Sequence, residues 1–394
     1  MRYLYLLIFL LASTCALAQE KHSYLFVWAG DKDHKASDFL GVIDADPASK
    51  SYGAIVASIP VGAAGTHPHH TELEMPANGH LLANGFHSGQ TWLFDLTKPL
   101  RPRILTSFRD LGDYNHPHTY IRTGKDRILA TFQYSGEHQT GGLVEMDERG
   151  KVKRTGSAAD ELDKQIFPYS VQPMPQFDRA VSTSTDMDQE NKAASGKWVQ
   201  VWRLSDLKLL RSFPLPPGPR GDEDLLTGEP KLLPDGKSVY IHTFMCGLYL
   251  LRGVESDTPK AQFVHGFQGK YCGVPVLAGR YWLQPVPDEH AVLALDISDP
   301  EKPREVSRVA LGDRESPHWM AIDATGRRLV VNSSGYVEGN RLYVLLFDPA
   351  TGKLALDERF RDAGSDQPGV DMNGKKWPHG FTGNAAPHGT LFSR

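Results

Sequence analysis

The feature that most constrains this chain is a short recurring pattern: an apolar strand, an Asp or polar turn, and a second apolar strand. Its copies are Phe39 to Asp44, Trp92 to Asp95, Leu143 to Asp147, Val199 to Leu204, Leu248 to Leu251, Val292 to Asp296 and Tyr343 to Asp348. A spacing of roughly 45 to 55 residues is the period of one four-stranded propeller blade. A second unit, a turn leading into a strand, precedes most copies: Asn78-Gly79, Gly124-Lys125-Asp126, Asp235-Gly236 and Thr325-Gly326. These turns read as hairpins from the innermost strand of a blade to its second. With 37 Gly and 27 Pro punctuating the chain, long helices have little room.

The two ends complete the ring. Tyr24 to Gly30, Phe39 to Asp44 and Ala54 to Pro60 supply the second, third and fourth strands of a blade that lacks a first, and Pro387 to Phe392 looks like the missing innermost strand. Sharing a blade in this way leaves no open sheet edge. The expected fold is therefore all-β: a seven-bladed β-propeller whose N- and C-terminal strands share the closing blade. The other blades fall near 66–110, 114–160, 166–214, 225–267, 270–312 and 315–363.

Residues 1–18 read as a signal peptide: Arg2 gives a positive start, Tyr3 to Leu11 an apolar run, and Ala16-Leu17-Ala18 a small-residue cleavage site. A periplasmic or secreted protein is expected, with residues 19–394 as a single propeller domain. A lipoprotein reading at Cys15 fits less well, because Thr14 is large for that position. Cleavage would leave two cysteines, Cys246 and Cys272, which could pair after export but make no disulfide framework. The formal charge of −4, without a run of Lys and Arg, gives no footprint for nucleic acid, and no stretch beyond the leader approaches a membrane span. The partner is then a small molecule or a protein.

The chemical signal is the placement of Pro-His pairs. From 27 Pro and 16 His chance gives about one such pair. The chain has Pro68-His69, Pro117-His118, Pro317-His318, Pro378-His379 and Pro387-His388. His69, His118, His318 and His388 fall at the start of innermost strands, which line the channel, and His70 doubles the first position. At the same place the remaining blades offer Tyr169, Glu229 and Cys272. Loops joining second to third strands open on the same face and carry His34, His87, His138 and His290. Neutral imidazoles converging on one axis suit a transition metal. The ligand order and an exported location favour copper or zinc, with copper preferred if Cys272, Met245 or Met320 points inward. Each such His could instead serve as an ordinary hydrogen-bonding residue of a wet tunnel.

Weaker candidates are an Asp186, Asp188 and Glu190 loop for Ca²⁺, and His242 with Cys246 on one strand face. No nucleophile elbow, phosphate loop, dinucleotide fingerprint or His-Glu-x-x-His motif is present, and a lactonase would need a more carboxylate-rich channel.

The residues from about Gly141 to Pro214 also carry a family resemblance. Gly141 to Asp147, Phe167-Pro168-Tyr169-Ser170-Val171-Gln172-Pro173, Ser182 to Thr185 and Val199-Gln200-Val201-Trp202 follow the strand order of the selenium-binding protein and methanethiol oxidase family. Ala294 to Arg304 continues it, His69-His70 is similar to the family's His pair, and Pro387-His388 is similar to its C-terminal Ala-His. Where the family has Ser-Gly-Trp-Asn and then Cys, this chain has Thr71-Glu72-Leu73-Glu74, so the cysteine associated with selenium has no counterpart. Members that oxidise methanethiol are copper-dependent and convert a small thiol, O₂ and water to formaldehyde, H₂S and H₂O₂. The resemblance implies a copper site at His69, His70, His118, His318 and His388. Tyr169 and Glu229 are then expected as hydrogen-bonding or proton-transfer groups, with Glu72 or Glu74 orienting a liganding imidazole. The alternative is a non-catalytic propeller that binds a metal, a protein or an envelope component.

Overall fold

The computed structural model describes residues 22–137, 139–160, 165–187, 196–333 and 339–394. Residues 1–18, expected as a leader, and Cys15, His138, Asp188 and Glu190 lie outside the described residues. Seven antiparallel sheets of strand order 1-2-3-4 form the ring. Blade 1 runs from Pro68–Thr71 to Arg103–Phe108, blade 2 from Tyr114–Gly124 to Val152–Ser157, and blade 3 from Pro168–Met174 to Lys208–Pro214. Blade 4 runs from Thr227–Leu232 to Lys260–Gly266, blade 5 from Val276–Ala278 to Arg304–Ala310, and blade 6 from Pro317–Ile322 to Leu354–Leu356. Blade 7 takes Tyr24–Asp31, Phe39–Asp44 and Ile55–Pro60 from one end of the chain and its innermost strand, Ala385–Phe392, from the other. The seven-bladed fold and the shared closing blade are thus as the repeat predicts.

Burial explains why the strands divide by position. Second and third strands are covered on both faces by neighbouring blades and read as near-continuous apolar runs, as in Phe39–Asp44 and Tyr281–Val286. Fourth strands face outward, alternate with Lys, Arg and Glu, and pair through β-bulges, which blunts the sheet edges. The core is a series of packets between adjacent blades. Leu82, Leu93, Tyr120 and Phe132 fill one between blades 1 and 2, and Leu250, Trp282, Leu293 and Leu295 fill one between blades 4 and 5. Among the described residues the helical content is two 3₁₀ turns, Pro175–Phe177 and Pro287–Glu289, and no helix is long and apolar enough to cross a membrane.

An excursion between blade 6 and the final strand wraps the closing blade. It carries a small hairpin, Lys375–Lys376 with Thr382–Gly383, and lays Trp377 on Phe39 with ring centroids 4.3 Å apart. A Cβ at Gly41 would stand 2.8 Å from the Trp377 ring, so glycine is what lets the strap lie flat on the blade.

Candidate metal centre

A strand aims successive side chains to opposite faces, so His69 and His70 could not both face one site on a regular strand. Blade 1 solves this with a register shift between Pro68 and Thr71, and the two rings stack 4.6 Å apart at 10°. The same irregularity recurs at Pro117/Tyr120, Pro168/Val171, Thr227/Pro230 and Pro317/Trp319, and in blade 7 opposite Pro387. Proline has no N–H for the ladder, so a Pro at the strand start favours the bulge that re-aims the next residue toward the axis.

In blades 1 to 4 the bulge frees a backbone N–H that one buried polar side chain on the second strand accepts. Asn84 accepts the His70 N–H at 2.7 Å and donates across the blade boundary to the carbonyls of Pro117 (2.5 Å) and His118 (3.2 Å). Thr131 accepts the Thr119 N–H and donates to the Tyr169 carbonyl, and Thr183 does the same for Ser170 and Gly228. Asn332 donates to the carbonyls of Pro387 and His388 at 3.2 and 3.1 Å. Sequence reading missed these clasps. Their signal was a single polar residue at the same place in otherwise apolar second strands, as in Leu81-Leu82-Ala83-Asn84 and Leu329-Val330-Val331-Asn332.

The imidazoles converge. Ring centroids lie 4.1 Å apart for His69–His388, 4.8 Å for His69–His118, 4.0 Å for His70–His118 and 4.9 Å for His318–His388. One ligand atom from each of His69, His70 and His388 falls within 4.8 Å of the others. All five rings are buried. Nδ1 of His69, His70 and His388 and Nε2 of His118 have no hydrogen-bond partner, an arrangement that costs about 1–3 kcal/mol per buried group unless something binds there. Burial depresses their basicity, to about 3 for His118 and about 4 for His318, and holds His69, His70 and His388 well below the ordinary range, helped by their neighbours. They are therefore neutral at physiological pH, with lone pairs available. The other ring nitrogens of several are held: His70 Nε2 lies 3.3 Å from Tyr169 Oη, His118 Nδ1 3.3 Å from Thr119 Oγ1, and His318 Nδ1 3.4 Å from Tyr271 Oη. Buried neutral imidazoles with orphaned nitrogens, steadied from behind, fit a transition-metal ion. Phe86, Trp319 and Phe244 wall the cluster.

Tyr169 and Glu229 sit on the adjoining inner strands. The Tyr169 ring lies 3.9 Å from that of His118, and burial beside Glu229 keeps its phenol protonated. Glu229 is buried; its Oε2 accepts the Ser170 hydroxyl at 2.5 Å and its Oε1 has no partner. Burial raises its pKa, although Lys231, 3.8 Å away, and Ser170 oppose the rise.

Other expectations need correction. Glu72 does not orient an imidazole: it turns to the far end of the channel, where it binds Arg122 at 2.6 Å and the Leu82 N–H, while Glu74 is exposed. Cys246 is not on the strand of His242 but in the following turn, with φ of 64°, and it is bonded to Cys272. The disulfide removes Cys272 as a thiolate donor, and Met320 packs in the apolar packet between blades 5 and 6. Asp186 accepts the Tyr134 hydroxyl at 2.6 Å. His22 pairs with the buried Asp44 carboxylate and His80 with the half-buried Glu148, both away from the cluster.

A channel-end histidine cluster on a seven-bladed propeller defines the class, and the comparisons narrow it. No family model matches the chain. A methanethiol oxidase of Hyphomicrobium is 32% identical over 139 residues, which is 32% of this chain and 31% of that protein. The match thus spans about a third of its relative's length. A hypothetical selenium-binding protein of Sulfolobus tokodaii superposes with a TM-score of 0.76 at 18% identity over 94% of both chains. The periplasmic gluconolactonase of Pseudomonas aeruginosa superposes at 0.63 with 14% identity, over 95% of this chain and 99% of that one. The last two likenesses concern the fold alone. The first is named for the activity of the family that the residues resemble.

Proposed function

We propose that this chain is an exported, copper-dependent oxidase of small thiols, of the methanethiol oxidase kind. The observation that carries the proposal is the set of neutral, buried imidazoles, four with orphaned nitrogens, at one end of the channel. His69, His70, His118 and His388 would hold the ion, with His318 beside them. Copper, when bound, would supply the electron transfer between thiol and O₂ that no side chain here can supply. Zinc fits the same donors but cannot change oxidation state.

The protein's own residues do the rest. Phe86, Trp319 and Phe244 exclude bulk water from the cluster. Tyr169 fixes the His70 ring, and Glu229, with one oxygen free and an elevated pKa, takes the proton a thiol sheds. The Cys246–Cys272 disulfide supports an oxidising compartment.

The test is elemental analysis and EPR on protein purified without a metal-binding tag, followed by O₂ uptake with methanethiol. Near-stoichiometric copper with nitrogen hyperfine structure, and turnover, are expected in the parent chain; both vanish in His118→Ala. A protein that stays metal-free after incubation with copper and zinc would end the catalytic reading and leave a binding module.

A further inference from the structure

Outside the buried cluster lies a second group of histidines. His67 Nδ1 and His87 Nε2 stand 3.0 Å apart, with ring centroids at 4.1 Å. His34 is close enough to His67 to perturb it electrostatically. His34 and His87 are exposed and His67 is half-buried. From His67 the next ring inward is His69, 5.4 Å away, followed by His388 at 4.1 Å. A cavity of about 300 Å³ lined by His34, His67, Pro68, Pro387 and His388 joins the exposed group to the buried one. Phe86 stands between the two groups with its ring in contact with His67, His69, His87 and His118, so the imidazoles offer the polar route past it. The backbone supports a selected arrangement: His34 and His67 both hold positive φ, at 56° and 59°, a strained state for residues with a side chain.

A hydrated ion cannot reach the buried rings without shedding its water, and losing the whole shell at once carries a large desolvation penalty. Imidazoles with ring centroids 4.1 to 5.4 Å apart replace the shell one ligand at a time. We propose that His67 and His87, with His34 beside them, form an outer loading site that captures a first-row transition-metal ion from solvent and hands it through His69 to the inner cluster. The transfer is ligand exchange: a nitrogen–metal bond to His69 forms as the one to His67 breaks. No electron is exchanged; the proton held between His67 Nδ1 and His87 Nε2 shifts by tautomerisation to the other nitrogen of its own ring as the ion binds, so each imidazole stays neutral. This inference rests on the metal reading of the inner cluster.

The experiment compares the parent chain with H67N/H87N and with H70A/H388A, using aqueous copper(II) alone and zinc alone. Asparagine at 67 tolerates the left-handed backbone that alanine would not. Uptake is followed by tryptophan fluorescence and EPR, and equilibrium content by elemental analysis. The parent is expected to take one tight and one weaker equivalent. H67N/H87N should keep the tight equivalent, lose the weaker one, and load about tenfold more slowly or worse. H70A/H388A should keep only the weaker one. An H67N/H87N chain that binds the parent's two equivalents at the parent's rate overturns the proposal. A parent that takes up only the weaker equivalent, lost in H67N/H87N, upholds the outer site and overturns the inner one, so the two failures are distinguishable.

Discussion

The inner ring has two unlike halves. Blades 6, 7, 1 and 2 bring imidazoles to the axis and leave four of their nitrogens unpaired, whereas blades 3, 4 and 5 bring Tyr169, Glu229 and a disulfide. The clasps cross the boundaries of both halves, through Asn332 and Asn84 on one side and Thr131 and Thr183 on the other. At the boundary of blades 4 and 5 the Cys246–Cys272 bond takes over that role. The inner strand pair of blade 5 also lacks a bulge, because the inner strand is only Val276–Ala278 and the chain before it bonds to blade 6 through Val274 N–H and the His318 carbonyl. One half thus gathers orphaned imidazole nitrogens at the axis, and the other is joined by hydroxyls and a disulfide, with Glu229 Oε1 and His242 Nε2 left unpaired.

Breaking the imidazole half should have the largest effect. In the double variant His70→Ala/His388→Ala, the tight copper equivalent measured by elemental analysis should be lost and only the weaker one kept. Cutting the other half, by Cys246→Ser/Cys272→Ser, should instead leave metal content intact and lower stability by roughly 2–4 kcal/mol in denaturant titrations, the usual worth of a disulfide closing a loop of this order. Loss of metal in the cysteine variant would show that the halves are not independent.

The clasps sharpen the contrast. Asn84→Leu strands the His70 N–H and the His118 carbonyl, so it should cost about 2–4 kcal/mol and weaken metal binding about 10- to 100-fold. Thr183→Val strands the Ser170 N–H and the Gly228 carbonyl on the other half, and should cost about 1–3 kcal/mol without touching metal affinity. Equal effects on metal from the two substitutions would dissolve the distinction.

Acid and base should also separate the halves. In the metal-free protein, His118 and His318 titrate at about 3 and about 4 when folded against 6.5 unfolded. Between those limits the unfolded chain binds protons that the folded chain does not, so stability should fall as pH drops from 6.5 toward 4. Glu229 acts with the opposite sign. Its folded pKa is raised, so its stabilising contribution is present at low pH and lost as pH rises through that value. The smallest expected effect follows: Glu229→Gln should raise the melting temperature slightly at pH 8 and not at pH 4, while removing a limb of the pH profile for thiol turnover.

Much of this ring was legible because a propeller repeats. The turn at Asp235-Gly236, the second strand after it and the blade limits all follow from one pattern read many times, and the Pro-His pairs marked the inner strand starts. Local sequence fell short where the outcome depends on another blade. Glu72 is close enough in sequence to the His pair to orient a liganding imidazole, but the bulge points His70 to the axis while Glu72 meets Arg122 of blade 2. His242 and Cys246 looked coplanar because the turn between them, with Cys246 at positive φ, was read as strand. The clasps were invisible one at a time, since a lone Asn or Thr in a strand has many ordinary uses.

The closing blade sets an order of events. His388 rides on Ala385–Phe392, the last strand to be added, and Gly389 lets that strand press against the backbone of His69 and Thr71. A chain still being synthesised can therefore form blades 1 and 2, with His69, His70 and His118, before His388 joins them. The site is finished by the same step that shuts the circle, which makes an ion held there a latch across the seam between the two ends of the polypeptide.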